Sequence, residues 1–583
     1  MSTLSKPRKA LPIAVLLIIV IHVCAVAVLD MENSPNIDEC AHLVSGLHHW
    51  EFGQYDLYRV NPPLIRSLAS LSCYLCGIRS DWQHADTHSL AARSEFLVGR
   101  DFLKKNGSRL FTAVSIGRLL LLPISCFGCF IIYSWGRKHY GHDAGVMTLV
   151  LYASSPDVLT WSASITPDMG SAIAAMATIW VSGRWMQKAD TTDAIGLGIA
   201  IGISILAKST LILLVPFFIL VSTLSDFAIV RRKFGMPIIP LRRRAAGIVL
   251  LTLVALFILN LGYSFEGSLT RLGDFEFTSS ALRGDFPADG ESGNRFVGTV
   301  FEDIPIPLPK NFLRGLDVQK HDFERKKYSY LFGVQRLGGW YHYYAVAWLA
   351  KSTIASIIAA FFASLSLLHS KREVAFEEWV MMLFAGAYFI LISSEIGFSK
   401  HYRYALPSCV AILFLSSRFF ALSAESFAKR ACIYALLFAS IAETAVNYPS
   451  VHSYMNLLAG GARSKEKWLL DSSADWGQDL LRLKAWTDRN AKCQPLYLAY
   501  FGGRLNPPEY IGIVSVPVPK RQRDGSAPQL QPGWYALSVN LVHGLICSDS
   551  NGSDYTYFQR LQPTEFIGGT IYLYHITENQ DAD

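Results

Sequence analysis

Charged residues are scarce in this chain: Asp, Glu, Lys and Arg together make up 17% of its 583 residues, against roughly a quarter in soluble domains. With 51% hydrophobic residues and a mean hydropathy of +0.27, the shortage excludes an ordinary water-soluble enzyme. Acidic residues are outnumbered, 46 against 53 basic, for a net charge of +7. The bases nevertheless form no helix face and no aromatic-interleaved patch, so nucleic acid is excluded as a partner. Cysteines are few and uninformative. Cys73/Cys76 and Cys126/Cys129 have CxxC spacing, but each pair lies in an apolar helical run without a second pair or a His partner, which argues for structural thiols. Cys493 and Cys547 share a polar C-terminal region and are a candidate disulfide. No repeat of solenoid period is present.

What the sequence does contain is apolar runs. A spanning helix needs about 20 mostly apolar residues. Runs at roughly 11–29, 111–134, 145–163, 166–186, 194–207, 210–229, 245–263, 345–368, 378–394, 404–422 and 430–447 predict about eleven spans. The run at 194–207 is short, and 145–163 carries Asp157. The bases fall on alternate loops: Lys6, Arg8 and Lys9; Arg137 and Lys138; Arg184 and Lys188; Arg231, Arg232 and Lys233 with Arg242, Arg243 and Arg244; Lys371 and Arg372; Lys429 and Arg430. By the positive-inside rule these loops are cytoplasmic. The expectation is a multi-pass protein of the plasma (inner) membrane with a cytoplasmic N-terminus and a C-terminus outside. The small-residue stretch at 25–27 would suit signal cleavage before Val28, but the apolar run is longer than a usual signal core and is read as an uncleaved anchor.

Three segments then lie outside. Residues 30–110 mix aromatic, charged and apolar positions as interfacial helices do. Residues 264–344 contain IPIPLPK and end in GGWYHYY. Residues 448–583 turn polar, with the short alternating runs PLYLAYFG, GWYALSV and GGTIYLYHI between Pro and Gly, which predicts one small α/β domain. The chain thus divides into a transmembrane domain, 1–447, and an outer domain, 448–583.

At the outer membrane face, ionisable residues collect: Asp38, Glu39 and His42 in NIDECAH, Arg59 and Arg66 around Asn61, Asp168 in TPD, Lys208 in LAKST, Trp340 and Tyr341 in WYHYY, and Lys400, His401 and Arg403 in KHYRYALP. Each has an ordinary explanation. Lys208 could snorkel, Asp168 could cap the next helix, and Arg403 could be an interfacial anchor beside Tyr402 and Tyr404. Their convergence argues for use, because charge near a bilayer is costly.

The run DECAHLVSG, then NPPL, TPD, KST and RYALP, resembles in order and spacing the protein O-mannosyltransferase and aminoarabinose-transferase branch of the C-type glycosyltransferases. The tail DSSADWGQDLLRLKAW at 471–486 is similar to the DSNLDWGQDL signature of a bacterial subgroup. The branch commonly has His-Pro-Pro-Leu where this chain has Asn61-Pro62-Pro63-Leu64, which puts any role of that His in doubt here. The resemblance implies a polytopic α-helical membrane protein of the GT-C type with a small extracytoplasmic α/β domain. It implies transfer of a sugar from a polyprenyl-phosphate donor, and membrane lipid as surroundings. The acceptor is unassigned among protein, lipid and glycan.

Such a reaction needs a carboxylate to take the proton of the attacking hydroxyl and cations to hold the phosphate. Neighbouring helical residues point about 100° apart, so Asp38 and Glu39 cannot serve one atom. Asp38 is read as the base, with Glu39 as its neighbour or an acceptor contact and as the alternative base, and Asp168 supporting the acceptor or a metal. Lys208, Arg403 and His401 are read as holding the donor phosphate, and His42, Asn61, Arg66, Trp340 and Tyr341 as substrate contacts. Glu39, His42 and Asp168 could hold a divalent metal, but no cofactor is assigned. In DWGQDL, Asp475 is read as capping a helix that buries Leu480, Leu481 and Leu483, with an acceptor-binding lid as the alternative. Outside this class, a lipid-linked oligosaccharide polymerase or ligase would share the donor. A transporter would place polar residues near the midplane, and a flippase would line a continuous path through the bundle with bases.

Overall fold

The computed structural model describes residues 11–85, 93–284, 292–369, 374–421, 426–502, 507–522, 524–546 and 554–577. Cys547 of the candidate disulfide lies outside them. The fold is a helical bundle with a small mixed sheet at the C-terminal end. Five described helices are individually long and apolar enough to cross a membrane: Ile13–Glu32, Arg109–Tyr140, Ser209–Asp226, Leu241–Gly262 and Phe376–Ser394. Tyr343–Lys351 and Ile354–Leu367, bent by 119° at their junction, make a sixth if counted together. Of the other apolar runs, Pro167–Lys188 and Phe427–Asn447 are continuous helices of 22 and 21 residues, and the rest are helical but short or interrupted. The run at 145–163 divides into His142–Ala153 and Pro156–Ser162, because Pro156 cannot donate into the preceding turn. The run at 404–422 becomes a 3-10 turn, Tyr402–Ala405, followed by Leu406–Leu415 and Ser417–Phe420. About eleven apolar runs therefore do not become eleven uninterrupted spans.

Small residues set one close helix contact. Thr191–Ala207 packs along Leu241–Gly262, where a methyl group built on Gly198 would lie 2.6 Å from the Leu251 carbonyl and one on Gly202 2.6 Å from Ile258 Cβ. Two glycines four apart let the backbones touch, as small-xxx-small interfaces in membranes do. Residue 194–207, short for a span, is held by this contact.

The C-terminal sheet has the order β4-β3-β5-β7-β6, with β3 Leu496–Ala499, β4 Val516–Pro517, β5 Gly533–Ser538, β6 Glu565–Ile567 and β7 Ile571–Ile576. β3 runs parallel to β4 and β5, and β7 antiparallel to β5 and β6. Alternation along β5 sends Ala536 to the face covered by helix Leu480–Arg489, through Leu480, Leu483 and Trp486. Tyr535 and Leu537 go to the other face, with Tyr557, Phe558 and Tyr574. That second face also takes Tyr330, from a hairpin of β1 Tyr328–Leu331 and β2 Val334–Leu337.

The boundary expected at residue 448 is a seam. Met455, Ala459, Leu469 and Trp476 belong to the core of the bundle, and the outer domain is joined to it through them.

Candidate active site

Asp38, Arg403, Asp168 and Lys208, spread over 365 positions of the sequence, meet as a ladder of alternating charge. Arg403 Nη2 donates to Asp38 Oδ2 at 2.6 Å, Arg403 Nε lies 3.2 Å from Asp168 Oδ2, and Lys208 Nζ donates to Asp168 Oδ1 at 2.6 Å. Local sequence explains each position. Asn36 and Glu39 form a reciprocal capping box that starts helix Ile37–Phe52, so Asp38 sits in a first turn. Asp168 follows Pro167 at the start of Pro167–Lys188. Both carboxylates therefore occupy the positive ends of helices. Lys208 is in extended backbone at the break between Thr191–Ala207 and the 3-10 turn Ser209–Leu213. Arg403 is in the 3-10 turn Tyr402–Ala405.

Asp38 is the most open of the four, its side chain 14% exposed. Burial pushes its carboxyl above the ordinary aspartate range, against the pull of Arg403 and Arg93. Arg403 Nη1 is buried and has no hydrogen-bond partner. One face of the guanidinium is stacked 4.2 Å from the Trp476 ring, with Trp161 at 5.8 Å. On the far side of the ladder, Lys208 and Tyr404 line a cavity of about 180 Å³ with Tyr344, Tyr388, Gln319 and Phe323.

Glu39 faces elsewhere. It is fully buried, takes two 2.7 Å hydrogen bonds from Arg118, and accepts from the backbone N–H groups of Asn36 and Ile165. Its oxygens are committed, which separates it from Asp38 as the helical angle predicts. Asp168, read as a support for the acceptor or a metal against the ordinary explanation of a helix cap, lies in the first turn with Thr166 at the cap position; its side chain joins the ladder. His401 is held well below the ordinary histidine range by burial and by Arg403 and Lys400, so it is neutral, and its Nδ1 lies 2.6 Å from Ser472 Oγ. His42 is likewise kept neutral by burial, Arg66 and Arg403 and lies against the Tyr58 ring at 4.6 Å.

The remaining expected contacts do not join the ladder. Arg66 donates to the carbonyls of Leu57 and Tyr58 at 3.1 and 2.7 Å. The Asn61 backbone N–H donates to Tyr58. Trp340 stacks on Arg336 at 4.2 Å, and Tyr341 is 64% exposed. From that aromatic run it is Tyr344 that reaches the cavity. Among the described residues no three His, Cys, Asp or Glu side chains come together as a metal-binding group.

The DSSADWGQDL segment packs against the turn that carries Arg403. Ser472 and Ser473 hydroxyls donate to the Lys400 carbonyl at 3.1 and 2.9 Å, and the Tyr402 N–H donates to Ser473 Oγ at 3.0 Å. Asp475 does not cap helix Leu480–Arg489. It accepts from the Gly477 N–H at 3.0 Å, and Asp479 precedes the helix. Of the three leucines, Leu480 and Leu483 are buried and Leu481 is half-buried. Burial raises the Asp475 carboxyl to about 8, so it is largely protonated at neutral pH. The sequence signal for Trp476 was its place in the motif. Arg118 was visible as a lone charge inside an apolar run, where such residues need partners. Trp161, Tyr388 and Tyr404 carried no signal beyond being aromatic.

Residues 108–258 match the family model for dolichyl-phosphate-mannose-protein mannosyltransferases. That stretch, roughly a quarter of the chain, includes Arg118, Asp168 and Lys208. It agrees with the motif resemblance in pointing to the C-type glycosyltransferase superfamily. Two solved structures are similar over larger spans at low identity. ArnT from Cupriavidus metallidurans bound to undecaprenyl phosphate is 14% identical, with a TM-score of 0.44, over 96% of this chain and 97% of that one. The Archaeoglobus fulgidus oligosaccharyltransferase AglB, in complex with an inhibitory peptide and a dolichol-phosphate, is 11% identical, with a TM-score of 0.44, over 74% of this chain and 56% of that one. No curated protein matches the chain.

Proposed function

We propose that this protein is an integral-membrane glycosyltransferase that moves a sugar from a polyprenyl-phosphate donor to an acceptor hydroxyl outside the cytoplasm, with inversion. The observation that carries the reading is the ladder itself: a partly exposed carboxylate and two cations joined in one chain of contacts, with one guanidinium N–H unpartnered and Lys208 lining a cavity. In the proposed step the acceptor oxygen attacks the anomeric carbon while Asp38 takes its proton. The bond from that carbon to the phosphate oxygen breaks, and the electron pair leaves with the polyprenyl phosphate. Lys208 and the free Nη1 of Arg403 hold the phosphate by charge-assisted contacts that are present before and during transfer. The leaving group already carries charge, so it needs no general acid. Asp168 holds both cations at a fixed separation, and Trp476 fixes the plane of Arg403.

The experiment is donor binding to the purified protein, read by mass spectrometry of retained lipid-linked sugar and by titration. Lys208→Ala removes a charge-assisted contact worth about 1.5–3 kcal/mol. Donor affinity should fall roughly ten- to 150-fold, with little change in rate at saturating donor. A protein that retains no lipid-linked sugar, and a Lys208→Ala variant of unchanged affinity, would overturn the reading. Trp476→Ala should raise the donor KM by about two- to thirty-fold through loss of the stacking contact, worth roughly 0.5–2 kcal/mol. Trp476→Phe should recover part of it, which a role in folding alone does not predict.

Sidedness follows from the basic loops. A reporter active only outside the cytoplasm should report when fused at residue 583 and stay silent near residue 235. Activity at 235 would place the ladder on the cytoplasmic side, where nucleotide sugars would serve as donors.

A further inference from the structure

Helix Leu241–Gly262 presents Val249, Leu253, Phe257 and Leu261 outward, each more than half exposed, as the lipid-facing stripe of a spanning helix should. The stripe does not stop where the helix stops. Phe265 follows Leu261 by four residues and lies against the Phe257 ring at 5.7 Å. Beyond it the chain forms an irregular ribbon in which the Leu269 N–H donates to the Ile306 carbonyl, the Leu272 N–H to Ile304 and the Gly273 N–H to Glu302. This ribbon carries Leu269, Val297, Val300, Phe301 and Ile304 on its surface. Val300 is 88% exposed and Leu269 62%.

An outer loop in water would not keep six large apolar side chains so exposed within 40 residues. Contiguous apolar surface of this kind marks an interaction site. The backbone conformation makes the point more strongly. Phe265 and Leu269 have φ of +59° and +64°, a region that bulky residues occupy rarely and at a cost. Glycine or asparagine would fill both positions in an ordinary turn. The chain keeps large hydrophobic residues there and turns them outward. The polar side of the ribbon carries its own pair, with Arg271 Nη1 3.1 Å from Asp303 Oδ1.

We infer that residues 264–284 and 292–304 form a membrane-docking platform, seated in the leaflet on the same side as the ladder and continuous with the lipid-facing stripe of Leu241–Gly262. The partner is the bilayer itself. Continuity with a stripe that already faces acyl chains decides between lipid and a second protein, since a partner chain would have to displace lipid from both. The platform is tied to the cavity. Asp317 accepts from the backbone N–H groups of Thr278 and Ser279 at 2.6 and 3.0 Å, and Asp317 lies on helix Lys310–Glu324, which contributes Leu316, Gln319 and Phe323 to the cavity wall. A lipid-seated ribbon thereby fixes the height of that wall relative to the membrane.

The test is site-specific photo-crosslinking in proteoliposomes of phosphatidylethanolamine and phosphatidylglycerol. The photoreactive residue p-benzoylphenylalanine is placed singly at positions 253, 269, 300 and 303. The expected result is phospholipid adducts, seen by mass spectrometry, at 269 and 300 at levels within about threefold of position 253, with at least tenfold fewer at 303. Position 253 is the internal standard for a lipid-facing site. Adducts at 253 without adducts at 269 and 300 would overturn the inference, and so would crosslinks at 300 to a second copy of the chain.

Discussion

Asp38→Asn should reduce transfer by about 10²–10⁴-fold, the range for loss of a positioned general base, while donor affinity stays within a few-fold of the unsubstituted protein. Asparagine fills the same space and can still accept from Arg403, but it cannot take the hydroxyl proton. The ladder tolerates the change because Arg403 keeps its contact with Asp168 and its stacking on Trp476. Retention of donor binding separates lost chemistry from lost structure. A pH series gives an independent reading. The working form of Asp38 is the carboxylate, so activity is present above its pKa and lost as pH falls through it. Because burial raises that pKa, the acid limb should lie at higher pH than an ordinary aspartate would place it, and the residual activity of Asp38→Asn should lack the limb. Transfer by Asp38→Asn within a few-fold of the parent would remove Asp38 from the base role.

Arg118→Leu should cost about 3–5 kcal/mol of stability, the range for removing one partner of a buried ion pair. Arg118 donates to both oxygens of Glu39, to the Asp30 and Asn33 carbonyls at 3.0 and 2.9 Å, and to Ser34 at 3.2 Å. Without it the Glu39 carboxylate, fully buried, has only backbone donors, and Asp30, 2% exposed, loses its guanidinium. Heating the detergent-solubilised protein and scoring the monodisperse fraction should show a midpoint well below the parent's. Arg118→Lys should fall between, because an ammonium cannot reproduce the two-pronged contact. The companion variant Glu39→Gln should lower stability in the same assay but keep transfer per folded molecule within about tenfold. Loss of transfer in Glu39→Gln at full stability would make Glu39, rather than Asp38, the chemical carboxylate.

The two carboxylates show where sequence reading stops. Adjacent helical residues diverge by about 100°, so it was evident from NIDECAH that only one of Asp38 and Glu39 could face a given site. Which one depends on Arg118 and Arg403, 79 and 365 positions away from their partners. No local pattern encodes those pairings. The state of His401 was hidden for a similar reason: its charge is set by burial and by Arg403 and Lys400 packed around it, not by its own residue type.

The sequence by itself determined the solvent of this protein and the regions that meet it. Apolar runs and basic loops are periodic, short-range signals, and the shortage of charge leaves a helical bundle in lipid as the physical outcome, with the alternating Pro- and Gly-punctuated tail as a small sheet. It also brought Asp38, Asp168, Lys208 and Arg403 to notice, because charge beside a bilayer is expensive and stands out. Tertiary structure alone decided that these four share one ladder, that Glu39 is a strut, and that 448–479 is a seam carrying Trp476 onto Arg403. Those facts rest on contacts between segments hundreds of residues apart, where packing of many weakly specific surfaces, rather than any local preference, selects the partner.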